Sequence, residues 1–367
     1  MAGSDSRYMR RALTLARKGV GRTAPNPAVG CVIVQNGQVV GEGWHKKAGT
    51  PHAEVHALQQ AGPLASGADV YVTLEPCSHH GKTPPCSEAL IAAGVRRVVV
   101  GMVDPFEQVS GTGIAQLRSA GIEVEVGLLE ADCRELNKGF IKYVTSDRPY
   151  VIYKSAMTLD GNIATVTGHS RWVSGEASRR YAHRLRDACD AVMVGVDTIL
   201  MDNPQLNVRH VKGRSPLRVI VDTHLRTPES VNVLTGPLAK KTIIATCETN
   251  HKVHRRYELQ GAMVMVCEEF DGRVAMADLL RKLGLHGVQT ILLEGGSRLA
   301  GDMLKNGLID ECIFFYAPKI VGNGFAPFTL PGIETMDNAI RMEITRIGMS
   351  GPDVVVHARP EAPCLPA

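Results

Sequence analysis

Hydrophobic and polar positions follow two alternating periods along most of this chain. Apolar residues three or four positions apart predict amphipathic helices, and short β-branched runs bounded by turn residues predict strands. The first helix is predicted near residues 8–16, and a strand at 29–35 is followed by the hairpin turn Asn36-Gly37. Further strands and helices then alternate, which indicates α/β layering with helices covering a sheet.

The pattern divides into two series, separated by the polar stretch 145–149 that ends in a proline. The first series contains predicted helices at 53–61, 86–93, 113–120 and 131–143 and strands at 69–74, 97–102 and 122–126. The second contains strands at 150–155, 191–195, 218–221, 242–246, 262–266, 289–293 and 310–316 and helices at 176–188 and 275–283. We therefore predict two α/β domains, at residues 1–147 and 148–367.

Composition agrees with two ordinary protein cores. The 367 residues are 44% hydrophobic and 21% charged, and the net charge of +4 comes from well-mixed acidic and basic residues. The chain lacks the clustered basic residues of a nucleic-acid binder, and no apolar run reaches the length of a membrane span. Because the polar N-terminus also lacks a signal-peptide core, we expect a cytoplasmic protein that acts on a small molecule, with no nucleic-acid or membrane partner.

Cysteines in such a protein are expected to be thiols and metal ligands, not disulfides. Seven of the nine lack ligand-like spacing and are predicted to be small buried side chains: Cys31, Cys133, Cys189, Cys247, Cys267, Cys312 and Cys364. The other two, Cys77 and Cys86, follow His52 in a pattern typical of zinc-dependent nucleobase deaminases. One imidazole and two thiols suit tetrahedral Zn²⁺ and leave a fourth position for water. Glu54 is then placed to shuttle protons for that water.

A structural zinc site, or Cys and His side chains that merely pack, is the alternative interpretation. A structural site normally has four protein ligands, and the fourth could come from His79 or His80. Eight residues separate Cys77 from Cys86, whereas the deaminase signature has two. This insert is expected to form a wall of the pocket and to favour a substrate with an extra polar or anionic group.

The second half carries a weaker signal for chemistry. Glu294 ends a predicted strand, and Gly295-Gly296 follows before a helix, so that backbone N–H groups could approach a phosphate. A tight strand-to-helix turn without a ligand explains the same residues equally well. Lys154 lies inside an apolar strand, and since a buried charge needs a partner, we predict that it pairs with Glu294. Arg186 and Arg209 are candidate anion ligands, although a solvated surface role is the default for a single arginine.

Several longer segments carry a family resemblance. In the first half they are Pro25-Asn26-Pro27-Ala28-Val29-Gly30, Pro51-His52-Ala53-Glu54-Val55-His56-Ala57, the run from Glu75 to Cys86, and Asn137-Lys138-Gly139-Phe140. In the second half they are Lys154-Ser155-Ala156-Met157-Thr158-Leu159-Asp160-Gly161 and Glu294-Gly295-Gly296. Together they resemble the bacterial bifunctional deaminase/reductase of riboflavin biosynthesis over nearly the whole chain. The long insert between the cysteines is normal for that family.

The resemblance implies a cytidine-deaminase-like three-layer domain at 1–147 and a dihydrofolate-reductase-like α/β domain at 148–367. The first would use zinc to remove the 2-amino group of a diaminopyrimidinone ribosylamino phosphate, with His52, Cys77 and Cys86 as zinc ligands and Glu54 carrying protons. The second would use NADPH to reduce the ribosyl group to a ribityl chain. Implied substrate contacts in the first domain are Asn26, His45, His79 and Lys82, with Lys82 on the phosphate.

The resemblance also assigns residues of the second domain. Implied substrate contacts are Lys154, Ser170, Arg186, Leu206, Arg209 and Glu294. Implied cofactor contacts are Ala156, Trp172, Thr198, Asp202, Thr223, Gly296, Ser297, Arg298, Leu299, Ala300, Gly301 and Asp302. We also expect a homo-oligomer, either a dimer or a tetramer.

One segment departs from the family pattern, since Phe106-Glu107 replaces the usual Asn-Pro after Asp104-Pro105. The negative charge of Glu107 would repel a nearby phosphate. Any polar contact that the family makes through this loop is therefore in question.

Two other functions compete with the expected one. A nucleic-acid-editing deaminase would need a basic groove and aromatic stacking platforms, but aromatic residues make up only 5% of the chain and the basic residues are dispersed. In the second alternative the C-terminal half senses a nucleotide without catalysis. Oxidation of NADPH by that half would separate this alternative from a reductase.

Overall fold

The computed structural model describes residues 2–79, 84–106 and 110–361. The chain forms two compact units, Met1–Arg148 and Pro149–Ala367. Predictions made for His80, Lys82, Glu107 and Cys364 fall outside the described ranges. Across those ranges, no helix combines the length and the apolar content needed to cross a membrane.

The first unit is built on a mixed sheet with helices on both faces. Its helices are α1 (Ala2–Ala16), α2 (Ala53–Ala61), α3 (Cys86–Ala92), α4 (Thr112–Ser119), α5 (Glu130–Leu136) and α6 (Lys138–Ser146). Its strands are β1 (Gly30–Gln35), β2 (Gln38–Trp44), β3 (Asp69–Val72), β4 (Arg97–Val100) and β5 (Glu123–Val126). The strands lie in the order β2-β1-β3-β4-β5, with β1 antiparallel to both neighbours and the last three parallel.

Separate apolar clusters cover the two faces of this sheet. On one face Ile33 packs with Ala57 of α2 and with side chains of α3 and α4. On the other face Val32 packs with Met9 and other side chains of α1. Neighbouring residues of β1 contribute to different clusters because successive side chains of a strand point to opposite faces. The first unit therefore has three layers.

The second unit contains a longer sheet. Its helices are α7 (Glu176–Ala188), α8 (Val196–Asp202), α9 (His251–Glu258), α10 (Met276–Leu285) and α11 (Ser297–Lys305). Its strands are β6 (Tyr150–Thr158), β7 (Ala164–Thr165), β8 (Ala191–Gly195), β9 (Leu217–Val221), β10 (Thr242–Thr246), β11 (Met263–Val266), β12 (Glu269–Phe270), β13 (Arg273–Val274), β14 (Thr290–Glu294), β15 (Glu311–Ala317), β16 (Gly324–Phe325), β17 (Met342–Ser350) and β18 (Asp353–Pro360).

The main sheet of the second unit has the strand order β11-β10-β9-β8-β14-β6-β15-β18-β17. Strands from β11 to β15 are parallel to their neighbours, and β18 and β17 complete the sheet in antiparallel fashion. Side chains of α10 and α11 pack on one face, and side chains of α8 and α9 pack on the other. The carboxyl ends of the parallel strands meet at one edge, which is where open α/β sheets bind ligands.

The predicted α/β class of both halves is confirmed, but the predicted helix at 131–143 is wrong. Two helices, α5 and α6, occupy this stretch and meet at Asn137. The buried Asn137 side chain accepts the N–H of Ala28 at 2.8 Å and donates to the Ala28 carbonyl at 3.0 Å. Regular helix geometry is interrupted at the residue whose side chain fixes the loop before β1.

The sequence pattern does not predict α8, α9, β17 and β18, nor the two-residue strands β7, β12, β13 and β16. Helix α9 has the sequence HKVHRRYE, whose few apolar residues give little periodicity. Strand β17 leaves Ile344, Ile347 and Met349 exposed, so its apolar residues do not mark a buried face. Among the described cysteines that were predicted to be buried, Cys247 is only half-buried.

Candidate active sites

Three side chains of the first unit converge as metal ligands would. The Nδ1 atom of His52 lies 3.5 Å from the Sγ of Cys77 and 3.3 Å from the Sγ of Cys86. Bonds of about 2.3 Å to sulfur and about 2.0 Å to nitrogen place the ligand atoms of a tetrahedral zinc site about 3.6 Å apart. Because all three ligand atoms also lie within 4.8 Å of one another, this ligand set fits a zinc ion.

Local packing places these ligands. His52 is the residue that precedes α2, and α2 lies so close to β2 that a Cβ at Gly43 would be 2.1 Å from the Ala53 carbonyl oxygen. Only glycine permits such an approach. Cys86 begins α3, and its backbone N–H donates to the Cys77 sulfur at 3.3 Å. A hydrogen bond to sulfur favours the thiolate, which is the form that binds metal.

The electrostatics of the cluster suit acid–base chemistry. Hydrogen bonds from Cys86 and His52 lower the pKa of the Cys77 thiol. Glu54 lies in the first turn of α2 and is almost completely buried. Burial, assisted by the charge of Cys77, raises the pKa of Glu54 to about 7. Such a carboxyl group can take up and release a proton near neutral pH.

The predicted substrate contacts of the first domain are brought together in part. Asn26 Nδ2 lies 3.0 Å from His45 Nε2, and His45 Nδ1 lies 3.2 Å from the Pro51 carbonyl oxygen. The ring of His45 meets the ring of His52 edge-on, with 5.2 Å between the centroids. His79 is exposed on the insert between the cysteines. Asn26 and His45 therefore lie beside the zinc ligands.

Glu75 supports this site, although the sequence patterns do not single it out. Its buried carboxylate accepts four backbone hydrogen bonds of 2.9–3.2 Å, from Asp104, Gly111, Gly113 and Ile114. These bonds hold Asp104 and the start of α4 close to the turn that carries Cys77. The sequence could have indicated this role only through the position of Glu75 directly before Pro76-Cys77.

The second unit has a cavity of about 990 Å³ at the carboxyl ends of its central strands. Its lining includes the predicted substrate contacts Lys154, Ser170, Arg186, Leu206, Arg209 and Glu294. It also includes the predicted cofactor contacts Ala156, Trp172, Thr198, Asp202, Thr223, Gly296, Ser297, Arg298, Leu299 and Asp302. Ala300 and Gly301 are not part of the lining, because Ala300 packs in the core and a Cβ at Gly301 would lie 2.2 Å from the Thr329 carbonyl oxygen.

The predicted pairing of Lys154 with Glu294 is wrong. Glu294 instead forms a bidentate ion pair with Arg186, with both N–O distances at 2.7 Å. Lys154 lies opposite Glu294 in the β6–β14 register, but its ammonium group forms no ion pair with the described residues and lies 5.8 Å from the ring centre of Phe315. A planar guanidinium matches both carboxylate oxygens, which an ammonium group cannot do.

This pair determines the charges in the cavity. Burial by itself would raise the pKa of Glu294, but the charge and hydrogen bonds of Arg186, assisted by Lys154, lower it to about 2. Burial lowers the pKa of Lys154, against the opposing effect of Glu294. The cavity therefore holds an ionised carboxylate with a fixed orientation and an ammonium group that is available to a ligand.

The glycine pair after Glu294 has the backbone conformation of a phosphate-binding turn. Gly295 and Gly296 have φ angles of 70° and 75°, in the left-handed region that other residues disfavour. A Cβ at Gly295 would also lie 3.2 Å from Thr198 Oγ1. Helix α11 begins directly after this turn, and the first N–H groups of a helix have no partners within it. The turn therefore fits the pyrophosphate of a dinucleotide.

His183 on α7 is a lining residue that the sequence patterns do not reveal. Its Nδ1 accepts the backbone N–H of Arg209 at 3.1 Å. Burial, followed by the charges of Arg186 and Arg209, lowers the pKa of His183 to about 4. A neutral imidazole thus holds the loop that carries Arg209. The sequence could have indicated this role, because His183 stands three residues before Arg186 and so lies on the same face of the helix.

Comparison with known proteins identifies the family. The family model for the cytidine and deoxycytidylate deaminase zinc-binding region matches residues 2–102, and the model for the RibD C-terminal domain matches residues 149–356. The riboflavin biosynthesis protein RibD of Actinobacillus pleuropneumoniae is 43% identical, over 96% of this chain and 94% of its own length. The chain belongs to the RibD family.

Solved RibD structures share this fold over the full length. RibD of Acinetobacter baumannii matches with a TM-score of 0.89 and 37% identity, covering 99% of this chain and 100% of that one. A diaminohydroxyphosphoribosylaminopyrimidine deaminase/5-amino-6-(5-phosphoribosylamino)uracil reductase from Thermotoga maritima matches with a TM-score of 0.88 and 35% identity, covering 98% and 99%. Membership in the RibD family confirms the predicted deaminase and reductase activities in riboflavin biosynthesis and the predicted cofactors, zinc and NADPH. It argues against the editing-deaminase and nucleotide-sensor alternatives.

Proposed function

We propose that residues 1–147 carry the deaminase reaction and residues 148–367 the reductase reaction. The proposed substrate is 2,5-diamino-6-ribosylamino-4(3H)-pyrimidinone 5′-phosphate, which first loses its 2-amino group and then has its ribosyl group reduced to a ribityl chain. The observation that carries this proposal is that each unit contains a complete set of candidate groups. The first has a zinc-ligand cluster with Glu54, and the second has the cavity with Lys154 and Glu294.

In the deaminase reaction His52, Cys77 and Cys86 would hold zinc, which would lower the pKa of water enough for attack near neutral pH. The carboxylate of Glu54 accepts a proton from the attacking water and delivers it to the departing amino nitrogen. Its raised pKa supports this role, since the group exchanges protons easily at neutral pH. Asn26 is placed beside the cluster to bind the polar edge of the pyrimidine.

In the reductase reaction NADPH supplies a hydride when it is bound. The turn at Gly295-Gly296 and the start of α11 would hold its pyrophosphate. The ammonium group of Lys154 donates a hydrogen bond to the sugar of the substrate, and Glu294, oriented by Arg186, accepts one from a sugar hydroxyl. Arg209 binds the substrate phosphate, which its exposed guanidinium supports.

Separate assays of the two half-reactions on the full chain test this division. Glu54→Gln should reduce ammonia release by about 10²- to 10⁴-fold while NADPH oxidation persists when the deaminated intermediate is supplied. Lys154→Ala should have the opposite effect, because it removes a donor from the reductase cavity only. Loss of ammonia release in a folded, zinc-loaded Lys154→Ala protein would contradict the assignment.

We also propose that the chain forms homo-oligomers through β17. This strand lies at the edge of the main sheet, and Ile344, Ile347 and Met349 on it are 58%, 63% and 68% exposed. An apolar edge strand with unpaired backbone groups tends to pair with another chain. Light scattering should give a dimer or tetramer for the wild type and a smaller species for Ile347→Lys. A monomeric wild type at micromolar concentration would refute this proposal.

A cytoplasmic location is the last part of the proposal. Each cysteine that the structure describes is a free thiol. Disulfides are rare in reducing compartments, so this thiol state supports a cytoplasmic protein. Cell fractionation with an antibody against the chain would test it.

A further inference from the structure

Cationic side chains line two separate parts of the cavity in the second unit. Lys154 on β6, Arg186 on α7 and Arg209 after α8 form the part that contains Glu294. Arg226, after β9, and Arg273, on β13, line the other part. In the strand order, β8 and β14 separate β9 from β6, which corresponds to about 14 Å at a spacing of about 4.8 Å per strand.

The glycine turn lies between these two parts. Gly295-Gly296 follows β14, which has β6 on one side and β8 on the other. A dinucleotide with its pyrophosphate at this turn and its nicotinamide towards Lys154 must extend its adenosine half towards β8 and β9. On that side Arg226 and Arg273 line the cavity from the residues after β9 and from β13, while Arg298 lines it from the start of α11 beside the glycine turn.

The turn that carries Arg226 is held firmly in place. The buried carboxylate of Asp222 accepts the N–H of Arg226 at 2.9 Å and the N–H of Thr227 at 2.7 Å. Arg226 also donates from Nη2 to Asp197 Oδ1 at 2.7 Å, and Asp197 lies in the first turn of α8 and lines the same cavity. This leaves the other N–H groups of an oriented guanidinium free for a ligand.

Arg273 is tied to the same turn. The N–H of Val274 donates to Thr223 Oγ1 at 3.4 Å, which connects β13 to the residues after β9. The side chain of Arg273 is exposed, and the described residues offer its guanidinium no hydrogen-bond or ion-pair partner. An unpaired guanidinium and an oriented one, both on the wall of one cavity, suit a doubly charged oxyanion.

We propose that Arg226 and Arg273 make the reductase select NADPH over NADH by binding the phosphate on the 2′ oxygen of the adenosine ribose. The inference rests on the proposed reductase function of this cavity. NADH has a neutral hydroxyl at that oxygen, so the two cations gain nothing from it. A guanidinium binds phosphate through paired, charge-assisted hydrogen bonds, and this binding distinguishes the two cofactors.

Binding of oxidised cofactors to the full chain tests the proposal without turnover. Isothermal titration calorimetry with NADP⁺, NAD⁺, adenosine 2′,5′-bisphosphate and AMP would compare the wild type with Arg226→Ala, Arg273→Ala and the double variant. Each substitution should weaken binding of NADP⁺ and of the bisphosphate by about ten- to a hundredfold, and leave binding of NAD⁺ and AMP unchanged. Arg255→Ala is the matched control, because Arg255 is an exposed arginine on α9 outside the cavity lining.

The outcomes separate this inference from the reductase assignment. Equal weakening of NADP⁺ and NAD⁺ in the double variant would show that the arginines maintain the fold, and would overturn the inference. Unchanged NADP⁺ binding, or a wild type that binds both cofactors equally, would overturn it as well. A wild type that prefers NADP⁺ but fails to oxidise NADPH with the deaminated substrate would refute the reductase assignment and leave the arginine result standing.

Discussion

Replacing Glu294 with Gln should destabilise the second unit by removing the negative charge from a buried ion pair. The side chains of Arg186 and Glu294 are only 11% and 12% exposed, so water screens their attraction weakly. Without Glu294 the remaining described partner of the Arg186 guanidinium is the Asn207 carbonyl oxygen, 3.0 Å from Nη1. A carbonyl cannot neutralise a buried cation.

The pKa of Glu294 sets the size of the effect. It lies at about 2 in the folded chain, against an ordinary value of 4.5. This difference corresponds to about 3 kcal/mol of folding free energy at neutral pH, similar to the cost of breaking other buried pairs. Because the folded pKa lies below the unfolded one, the stabilisation is complete above the unfolded pKa and disappears as the pH falls through the folded one. The difference in folding free energy between wild type and variant should therefore be complete at pH 7 and should disappear in acid.

Amide hydrogen exchange followed by mass spectrometry can measure this difference in the intact chain. In Glu294→Gln the slowest amides of β6 and β14 should exchange about a hundredfold faster than in the wild type. Peptides from β3 and β4 in the first unit are an internal control and should keep their rates. Glu176→Gln is a matched variant, because Glu176 pairs with Arg180 on the surface of α7 and is 73% exposed. Its effect should be small.

Unchanged protection of β14 at pH 7, or an equal loss of protection in β3, would refute this reasoning. A further variant combines Arg186→Met with Glu294→Leu and so removes both charges. It should recover most of the lost stability, because it leaves no buried Arg186 guanidinium without its carboxylate. If the double variant is no more stable than Glu294→Gln, packing and not charge is responsible for the loss.

Two further predictions concern the first unit. Cys77→Ser should lose zinc and ammonia release together, since it removes one of three ligands, and retention of stoichiometric zinc by elemental analysis would contradict the site. Glu75→Gln should lower the stability of the first unit by roughly 1–3 kcal/mol, because the amide turns an NH₂ group towards backbone donors that the carboxylate accepts. Ammonia release should fall with NADPH oxidation unchanged, and equal loss of both activities would show a different role.

The zinc ligands could be predicted because their signal is local and chemically rare. Cys77 and Cys86 stand close together in sequence, and thiols paired with a His-x-Glu have few other uses. The pairing of Arg186 with Glu294 could not be predicted in the same way. These residues are 108 positions apart, and their contact depends on how α7 lies relative to the carboxyl end of β14. Lys154 looked equally suitable by charge, and only guanidinium geometry and the fold decide between them.

Strands, too, can be predicted from the sequence only where the pattern of apolar residues reflects burial. Buried parallel strands such as β8 and β14 are nearly continuous apolar runs, which the sequence shows clearly. In β17 the apolar residues lie on an exposed face, so their alternation does not indicate a core. Glu75 was missed for a related reason, because its four partners are backbone groups that no side-chain pattern reveals.

Both candidate sites use the start of a helix that follows an extended segment. Glu54 lies in the first turn of α2, and the glycine turn leads directly into α11. The N-terminus of a helix presents unpaired N–H groups and a partial positive charge, which favours anions in either setting. The backbone therefore provides a general preference for anions, and the side chains provide the chemistry. In the first unit the side chains are thiols, whose role the sequence shows directly. In the second they are common arginines, whose roles as ion-pair partner or cofactor selector follow only from their places around the cavity.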